Sequence, residues 1–360
     1  MKIVVNDIKR QYYKYQNDFD EKLVSILSGG SYILGQEVEN FEKEFSSYLD
    51  IGHCVGVASG LDALKIACRI LEIGNNSEVI MAENAYGACA LAVISEGARP
   101  VLVDSNIYGN IKVEEIENAI TFNTKAIMVV HMFGQSCDMD AICAVAKKHN
   151  LFIIEDCSQA HGATYNNKKV GTFGDIGCFS FYPTKNLGAF GDGGCIVTNS
   201  KDYANRAKIL RNYGKKDGQF YELGFNSRLD EIQAGLLRIK LIHLDETNKE
   251  RAEIANYYLE NISNSIVDLP ITQPGSTNVW HQFVIKSKYR DELKEYLRLN
   301  NIDTLIHYPT AFYIDPAFEC LNYKESDFPK SAKPLSLPIY IGMTTAEKKK
   351  VAKVINEFRK

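Results

Sequence analysis

Short apolar segments alternate with helix-like segments between residues 53 and 156, and this alternation constrains the fold more than any other feature of the chain. The apolar segments, in chain order, are His53–Ala58, Glu78–Ala82, Pro100–Asp104, Ala126–Met132 and Leu151–Asp156. Helix-like spacing of apolar residues follows the first four segments, over residues 61–73, 86–96, 113–121 and 138–149. Strands and helices that alternate at this spacing predict an α/β domain with a mostly parallel sheet.

The segments on either side of this alternating region have helical patterns. Glycines interrupt the pattern of residues 18–48 at residues 28–35, which predicts either a plain connector or a loop over a pocket. Residues 228–262 predict one long helix, because apolar residues recur at helical spacing with charged residues between them. A helix of this length often braces two domains or two subunits.

The chain changes character near residue 265. The elements predicted beyond it are a strand at Gln282–Lys286, a helix at 289–299, a strand at Thr304–Tyr308 and an amphipathic helix from about Thr345. This order is typical of a smaller α+β unit. We therefore predict a large domain over residues 1–250 and a small C-terminal domain over residues 251–360.

Ligands of mostly parallel sheets bind outside the carboxyl ends of the strands, and three of these ends are informative. Ser59 and Gly60 lie between the first strand and its helix, where free backbone N–H groups and the helix dipole suit a phosphate. Ser-Gly is also an ordinary helix cap. Tyr86 follows the second strand and could stack on a flat heterocycle or simply pack against the protein.

The fifth apolar segment ends in two carboxylates, Glu155 and Asp156, and Gln159 and His161 follow them. An isolated buried carboxylate is costly, so Asp156 at the end of a buried strand needs a partner. A protonated ring nitrogen would be such a partner.

Lys185 lies in the stretch 178–194, CFSFYPTKNLGAFGDGG, where aromatic residues alternate before it and glycines follow it. Burial in an apolar wall disfavours an ammonium ion and lowers the pKa of a lysine. Such burial would make Lys185 an amine nucleophile able to bond an aldehyde. The alternative is a surface lysine in a hairpin.

Together these features match the parts of a pyridoxal-phosphate enzyme. The turn at residues 60–61 would anchor the phosphate, and Tyr86 would stack on the ring. Asp156 would hold the pyridinium, and Lys185 would bond the aldehyde. All four features in one chain, in this order, favour a common site over four unrelated structural roles.

Composition argues against several other classes of function. The 41 basic and 45 acidic residues give a net charge of −4, and the longest basic run is the short Lys348–Lys350, so we expect no nucleic-acid partner. The first residues lack the pattern of a signal peptide, and no apolar run approaches the ~20 residues that span a bilayer. We therefore expect a cytoplasmic protein without a membrane partner.

Nine cysteines are scattered along the chain, mostly within apolar stretches, and they predict buried free thiols. Cys137, Cys143 and His149 share one predicted helix, but their spacing of six residues is not that of closed zinc sites. We therefore predict no metal site.

Six sequence motifs occur in an order typical of one known family. They are residues 6–12 (NDIKRQY), 31–35 (SYILG), 155–162 (EDCSQAHG), 178–194, 224–234 (GFNSRLDEIQA) and 306–309 (IHYP). Through these motifs the chain resembles the sugar aminotransferases of the DegT/DnrJ/EryC1/StrS family over nearly its whole length. The resemblance implies the pyridoxal-phosphate-dependent type I aminotransferase fold, in a homodimer whose active sites lie at the subunit interface.

The resemblance also implies which residues contact the cofactor ring. Lys185 would bond the cofactor aldehyde, and Asp156 would contact the pyridine nitrogen. Gln159 would contact the ring hydroxyl, and Tyr86 would stack on the ring.

The phosphate contacts follow from the same resemblance. Ser180 would bind the phosphate together with the turn at Gly60 and Leu61, and Asn226 would reach the phosphate bound in the neighbouring subunit. Leu61 stands where the family usually carries Thr, so only its backbone N–H remains for the phosphate. Ala85 likewise replaces a common Thr.

For the substrate, the resemblance implies transfer of an amino group, expected from glutamate, to the keto carbon of a nucleotide-linked deoxysugar. The motifs are most similar to those of the branch that aminates C3 of a 3-keto-6-deoxyhexose. The candidate substrate contacts are Arg211, Lys215, Tyr221, His307 and Tyr308. The cations at 211–216 could equally complement a helix C-terminus. After residues 307–309 the chain reads Thr310-Ala311-Phe312, where relatives more often have Pro and His.

Three alternatives to C3 amination stay open at this point. The chain could aminate C4 of a nucleotide-linked 4-keto sugar, or it could be a regulatory protein that binds the cofactor without turnover. A third alternative is a relative that dehydrates a sugar, but such relatives lack the lysine, whereas Lys185 is present.

Overall fold

The computed structural model describes residues 2–308, 311–328 and 333–360. The strands are β1 (His53–Val57), β2 (Glu78–Ala82), β3 (Arg99–Val103), β4 (Thr124–Val130), β5 (Phe152–Asp156), β6 (Thr164–Tyr165), β7 (Lys168–Lys169), β8 (Ile176–Ser180), β9 (Gly194–Thr198), β10 (Lys215–Lys216), β11 (Gln219–Phe220), β12 (Phe283–Lys286) and β13 (Pro334–Leu337). The α-helices are α1 (Ile8–Lys14), α2 (Gln16–Gly29), α3 (Gln36–Leu49), α4 (Gly60–Ile70), α5 (Gly87–Ser95), α6 (Val113–Ala119), α7 (Met139–His149), α8 (Lys201–Leu210), α9 (Glu231–Ile242), α10 (Leu244–Asn261), α11 (Arg290–Leu299) and α12 (Thr345–Glu357). Short 3-10 helices occur at Met132–Gly134, Phe312–Ile314, Pro316–Leu321 and Glu325–Asp327.

Seven strands form the central sheet in the order β1-β9-β8-β5-β4-β2-β3. The adjacent pairs among β8, β5, β4, β2 and β3 are parallel, whereas β9 is antiparallel to both of its neighbours. The predicted mostly parallel sheet is therefore confirmed. Each of the five predicted strands between residues 53 and 156 is present, with ends shifted by no more than two residues.

Alternate side chains of the sheet face two different cores, as expected for strands covered on both sides. Met81 and Met128 pack in one core, with apolar residues of α4, α5 and α8. Ile80 and Ile127 pack in another, with apolar residues of α7. The near-continuous apolar strands of the sequence reflect this double burial.

The predicted single helix over residues 228–262 is wrong, because α9 ends at Ile242 and α10 begins at Leu244. His243 leaves the helical conformation at this break, with φ −100° and ψ 4°, and its ring stacks on Tyr15 at a centroid distance of 4.1 Å. The break lets Leu244 pack with α3 while Tyr258 packs in the C-terminal core. No glycine or proline marks this position in the sequence.

The interruption at residues 28–35 is a connector docked onto α9. The carboxylate of Glu231 accepts hydrogen bonds from the backbone N–H groups of Gly35 (2.9 Å), Glu37 (2.8 Å) and Val38 (2.9 Å). A side chain from α9 thus satisfies the first N–H groups of α3, which a helix leaves without internal acceptors.

A separate core lies in the C-terminal part of the chain, where the antiparallel pair β12–β13 packs with α10, α11 and α12. Ile3 from the N-terminus also lies in this core. Phe312 and Phe318, in contrast, pack with the core of α4 and α5. A domain boundary after residue 250 stays a prediction.

The predicted strand at 304–308 is wrong. Leu305 forms only an isolated bridge with Ser336, and Tyr308 has a φ of +58°, which does not continue a strand. Pro309 and Thr310 lie outside the described residues, so the departure from the family pattern at Thr310 has no structural account. Within the described ranges, no helix combines the length and apolar character needed to cross a bilayer.

Candidate active site

A cavity of about 730 Å³ opens where β5 and β8 end and α4 begins. Nine of the predicted site residues line it: Gly60, Leu61, Tyr86, Asp156, Gln159, Ser180, Lys185, His307 and Tyr308. The structure thus brings together residues at or after the ends of β1, β2, β5 and β8 with a segment of the C-terminal region. This position matches the expectation for ligands of a mostly parallel sheet.

The N-terminus of α4 forms one end of the cavity. Ser59 caps the helix, since its Oγ accepts a hydrogen bond from the N–H of Asp62 at 3.1 Å. A Cβ atom at Gly60 would lie 2.5 Å from the Cβ of Ser180, so only glycine permits this close approach of α4 to β8. Because Gly60 and Leu61 line the cavity, first-turn N–H groups and the positive end of the helix dipole are available there for an anion.

Asp156 ends β5 and is 5% exposed, yet it lines the cavity. Its Oδ1 accepts a hydrogen bond from the N–H of Ser158 at 3.0 Å, and the thiol of Cys89 donates to its Oδ2 at 3.1 Å. These contacts hold the carboxylate, and no basic side chain of the described residues forms a salt bridge with it. A cation placed in the cavity would supply the missing partner.

The neighbouring carboxylate, Glu155, is fully buried and serves the scaffold. It accepts hydrogen bonds from the N–H groups of Gly171, Phe173 and Gly174, each at 2.7 Å, and its Oε2 lies 3.1 Å from Nε2 of His131. Burial by itself would raise the pKa of Glu155, but these partners outweigh burial and hold the pKa below its usual value. Glu155 thereby fixes the end of β5 against the loop that precedes β8.

Cys137, Cys143 and His149, which the sequence places close together along the chain, do not form a group of potential metal ligands among the described residues. Cys137 donates to the carbonyl of Val130 at 3.3 Å, and His149 pairs with Glu117 at 2.8 Å. Among the described residues, the potential ligand atoms that do lie together belong to His131, Glu155 and Cys157. The hydrogen bonds of Glu155 already occupy both of its oxygens, which favours a structural role for this group.

Lys185 sits in the turn after β8, and its N–H donates to the carbonyl of Tyr182 at 2.9 Å. The next residue, Asn186, anchors the turn through hydrogen bonds of 2.8 Å to Asn248 and to the carbonyl of Val279. Burial lowers the pKa of Lys185 to about 8, although the negative charge of Asp156 acts in the opposite direction. A larger fraction of this amine is therefore uncharged near neutral pH than of an ordinary lysine.

Tyr86 and Tyr308 form an aromatic wall, with ring centroids 5.4 Å apart. Tyr86 is 54% exposed in the cavity, which favours stacking on a ligand over simple packing. The amide of Gln159 bridges this wall to the sheet, because its Oε1 accepts from the N–H of Phe133 at 2.8 Å and its Nε2 donates to the hydroxyl of Tyr308 at 2.9 Å.

Two histidines near Lys185 are kept neutral. Burial and the charge of Lys185 lower the pKa of His307 to about 4, and burial holds the pKa of His281 well below its ordinary value. Nδ1 of His307 lies 2.7 Å from the hydroxyl of Ser336. At neutral pH these imidazoles can donate and accept hydrogen bonds without adding charge beside the lysine.

Arg211 does not belong to the cavity, which corrects its assignment as a substrate contact. Its Nη1 forms a buried ion pair with Glu42 and donates to the carbonyl of Gly56 at 2.8 Å. Because the guanidinium of Arg211 is paired with a buried carboxylate, it stabilises the fold rather than binding substrate.

Lys215, Tyr221 and Asn226 also lie outside the cavity of their own chain. Lys215 belongs to the small β10–β11 hairpin and lies over the ring of Phe220 at 4.7 Å. Tyr221 and Asn226 are exposed.

Sequence reasoning missed several residues that line the cavity: Asn6, Tyr182, Asp192, His281, Gln282 and Ser336. Asn6, Tyr182 and Asp192 lie within the motifs at 6–12 and 178–194 but were not singled out, whereas His281, Gln282 and Ser336 lie outside the six motifs. Sequence reasoning also missed Cys89, which lies three residues after Tyr86 and so one helical turn from it. That spacing is the one signal the sequence offered.

The comparisons with known proteins agree with this geometry. The sequence model of a protein family, described as the DegT/DnrJ/EryC1/StrS aminotransferase family, matches residues 14–356. The dTDP-3-amino-3,6-dideoxy-alpha-D-galactopyranose transaminase of Aneurinibacillus thermoaerophilus is 47% identical over 360 residues and covers 98% of each chain. The dTDP-3-amino-3,4,6-trideoxy-alpha-D-glucose transaminase of Streptomyces venezuelae is 40% identical over 92% of this chain and 90% of its own.

The backbone is similar as well. The crystal structure of DesV from S. venezuelae, in complex with a ketimine intermediate, matches with a TM-score of 0.96 at 40% identity. The match covers 99% of this chain and 98% of that chain. The resemblance found in the sequence motifs thus extends to the whole fold.

Proposed function

Because the chain belongs to the DegT/DnrJ/EryC1/StrS aminotransferase family, we propose that it moves an amino group to C3 of a nucleotide-linked 3-keto-6-deoxyhexose. The enzyme is a pyridoxal-phosphate-dependent aminotransferase, and the proposed amino donor is glutamate. Relatives at 47% and 40% identity are named as transaminases of dTDP-3-amino sugars, which supports C3 as the position of amination.

The observation that carries the proposal is the convergence of Lys185, Asp156 and Tyr86 on one cavity. The residues present fit pyridoxal phosphate. Gly60 and Leu61 at the N-terminus of α4 line the cavity, where a phosphate can meet the first N–H groups of the helix. Asp156 is a buried carboxylate that forms no salt bridge with the described side chains. Lys185 is an amine with a lowered pKa.

When bound, pyridoxal phosphate supplies an aldehyde that bonds amines and a ring that withdraws electrons from the reacting carbon. Asp156 would hold the ring nitrogen protonated, and Gln159 would donate to the ring hydroxyl. Nζ of Lys185 acts as the base that takes the proton from the α-carbon of the donor and delivers one to the sugar carbon that receives the amine. The pKa of about 8 suits an amine that must both lose and accept a proton.

The sugar end of the site is proposed to lie at His307 and Tyr308. Both line the cavity, and both present neutral groups that can exchange hydrogen bonds with sugar hydroxyls. Arg211 is not part of this end, because Glu42 holds it in the scaffold.

We propose that the enzyme is a homodimer in which Asn226, Lys215 and Tyr221 serve the site of the partner. All three lie outside the cavity of their own chain. Exposed apolar side chains on the same molecule support an interface, among them Tyr13, Val24 and Phe190. That the enzyme acts in the cytoplasm remains a prediction from the sequence.

The test of the proposed function is incubation of the purified enzyme with glutamate and a nucleotide-linked 3-keto-6-deoxyhexose. We expect 2-oxoglutarate and an amino sugar in equal amounts. Reduction with borohydride and peptide mapping should place the cofactor on Lys185. Elimination of water from the sugar, or binding of the cofactor without transfer, would favour a dehydratase or a regulatory protein instead.

A further inference from the structure

We propose that Cys89 is a positioning residue for the reaction, because its thiol fixes the orientation of the Asp156 carboxylate, which would contact the cofactor ring. This inference rests on the proposed function, since the cofactor ring is the partner that Asp156 would face. Cys89 itself touches neither cofactor nor substrate in the proposal; it acts through Asp156.

The contact joins α5 to the end of β5. Cys89 is fully buried, and its Sγ lies 3.1 Å from Oδ2 of Asp156. The other oxygen of the carboxylate, Oδ1, accepts from the N–H of Ser158 at 3.0 Å. One donor on each oxygen fixes the plane of the carboxylate, while each oxygen keeps a second lone pair for a ligand in the cavity.

The thiol can act only as a donor here. Burial raises the pKa of Cys89 well above its usual value, and the charge and hydrogen bond of Asp156 raise it further. Cys89 therefore keeps its proton and gives it to the carboxylate as a hydrogen bond, rather than placing a second negative charge beside it.

Tyr86, the residue proposed to stack on the cofactor ring, directly precedes the first turn of α5. The N–H of Cys89 donates to the carbonyl of Tyr86 at 2.9 Å, so the backbones of these two residues are directly linked. Ala90 and Val93 anchor this helix in the core with no exposed surface. One rigid turn thus sets both the aromatic face and the orientation of the acid.

Two other buried thiols provide a contrast. Cys178 stands opposite Asp156 in the register of β5 and β8, and Cys68 lies in the same core as Cys89. Neither has a hydrogen bond to Asp156 among those of the described residues, whereas Cys89 does. The role assigned to Cys89 therefore depends on geometry, not on a thiol being nearby.

The experiment compares Cys89→Ala with Cys89→Ser, and both with Cys178→Ala as the matched control. Alanine and serine have nearly the same volume, so the first two variants differ mainly in the presence of a donor. The readouts are the dissociation constant of pyridoxal phosphate from the apoenzyme, the pH midpoint of the cofactor absorbance, kcat, KM for the nucleotide sugar, and the melting temperature.

We expect Cys89→Ala to weaken cofactor binding and to lower kcat by about fivefold, because a hydrogen bond to a charged acceptor is lost. The pH midpoint of the absorbance should shift, and KM for the nucleotide sugar should change by less than about twofold. Cys89→Ser should recover most of the cofactor affinity. Cys178→Ala should change the melting temperature alone.

The inference is overturned if Cys89→Ala has the same cofactor affinity and absorbance midpoint as Cys178→Ala, or if Cys89→Ser is as impaired as Cys89→Ala at equal melting temperature. Its failure is distinct from failure of the proposed function. If only this inference fails, the wild-type enzyme still binds the cofactor and aminates the sugar. If the proposed function fails, the wild-type enzyme does not aminate the sugar.

Discussion

Nε2 of Gln159 donates a hydrogen bond to the hydroxyl of Tyr308 over 2.9 Å, although the two residues lie 149 positions apart. Gln159 follows the strand that carries Asp156, whereas Tyr308 comes from the C-terminal region of the chain. The bond therefore connects the acid end of the cavity with its proposed sugar end. Burial also raises the pKa of Tyr308, so its hydroxyl stays protonated and can donate in turn.

Tyr308→Phe should remove this acceptor and the donor that faces the sugar. We expect kcat/KM for the nucleotide sugar to fall by about tenfold, because Nε2 of Gln159 loses its partner and one substrate contact is lost. Cofactor affinity should change little. Steady-state kinetics with the sugar varied will check this, and unchanged kcat/KM would remove Tyr308 from the sugar site.

Asp156→Asn should keep the fold and lose most of the activity. A neutral amide does not favour a protonated ring nitrogen, so we expect kcat to fall by at least about tenfold. Asp140→Asn, which changes an exposed carboxylate on α7, is the control. Near-normal turnover in Asp156→Asn, with a circular dichroism spectrum like that of the wild type, would contradict the role given to this residue.

Subunits that carry Lys185→Ala and subunits that carry Asn226→Ala should complement each other. A mixed dimer holds one site with both residues intact, because Lys185 and Asn226 of that site come from different chains. Equal mixing with full exchange should restore about a quarter of wild-type activity, since half of the dimers are mixed and each has one good site. Mass spectrometry will show whether the subunits have exchanged. If activity does not recover although exchange is complete, each site is built from one chain.

Buried histidines should make the protein less stable below neutral pH. Burial and the charge of Lys185 lower the pKa of His161 to about 3, against an ordinary value of 6.5. Below pH 6.5, His161 therefore binds a proton in the unfolded chain but not in the folded chain. The contribution of His161 to the free energy of unfolding is full above pH 6.5 and falls as the pH drops towards 3.

The measurement is urea unfolding between pH 6.5 and pH 5. Each such histidine contributes a slope of about 1.4 kcal/mol per pH unit within its window. His281 and His307 should contribute in the same direction, because their pKa values are also lowered. His161→Gln should show a shallower fall than the wild type, and an equal slope in both proteins would contradict this account of His161.

The sequence predicted those parts of the site that are local along the chain. Asp156 ends an apolar strand, Gly60 opens a helix, and Lys185 lies between aromatic residues and glycines, so each carries its signal in its own neighbourhood. The strands were predictable for the same reason, since double burial makes each of them a short apolar run.

What the sequence missed depends on distant partners. Arg211 resembles a free cation beside a glycine-rich turn, but its partner Glu42 lies 169 residues away. The helix break at His243 follows from packing on Tyr15 and carries no glycine or proline. The apolar pattern at 304–308 suggested a strand, yet the backbone turns at Tyr308 so that its side chain lines the cavity.

The position of amination tests the central claim most directly. The enzyme is incubated with glutamate and, separately, with nucleotide-linked 3-keto and 4-keto 6-deoxyhexoses, and the amine is located in each product by NMR. A buried polar group left without its partner costs about 1 to 3 kcal/mol, so the site should choose one position strongly. The account predicts efficient amination at C3 of the 3-keto compound, and efficient amination of the 4-keto compound alone would contradict it.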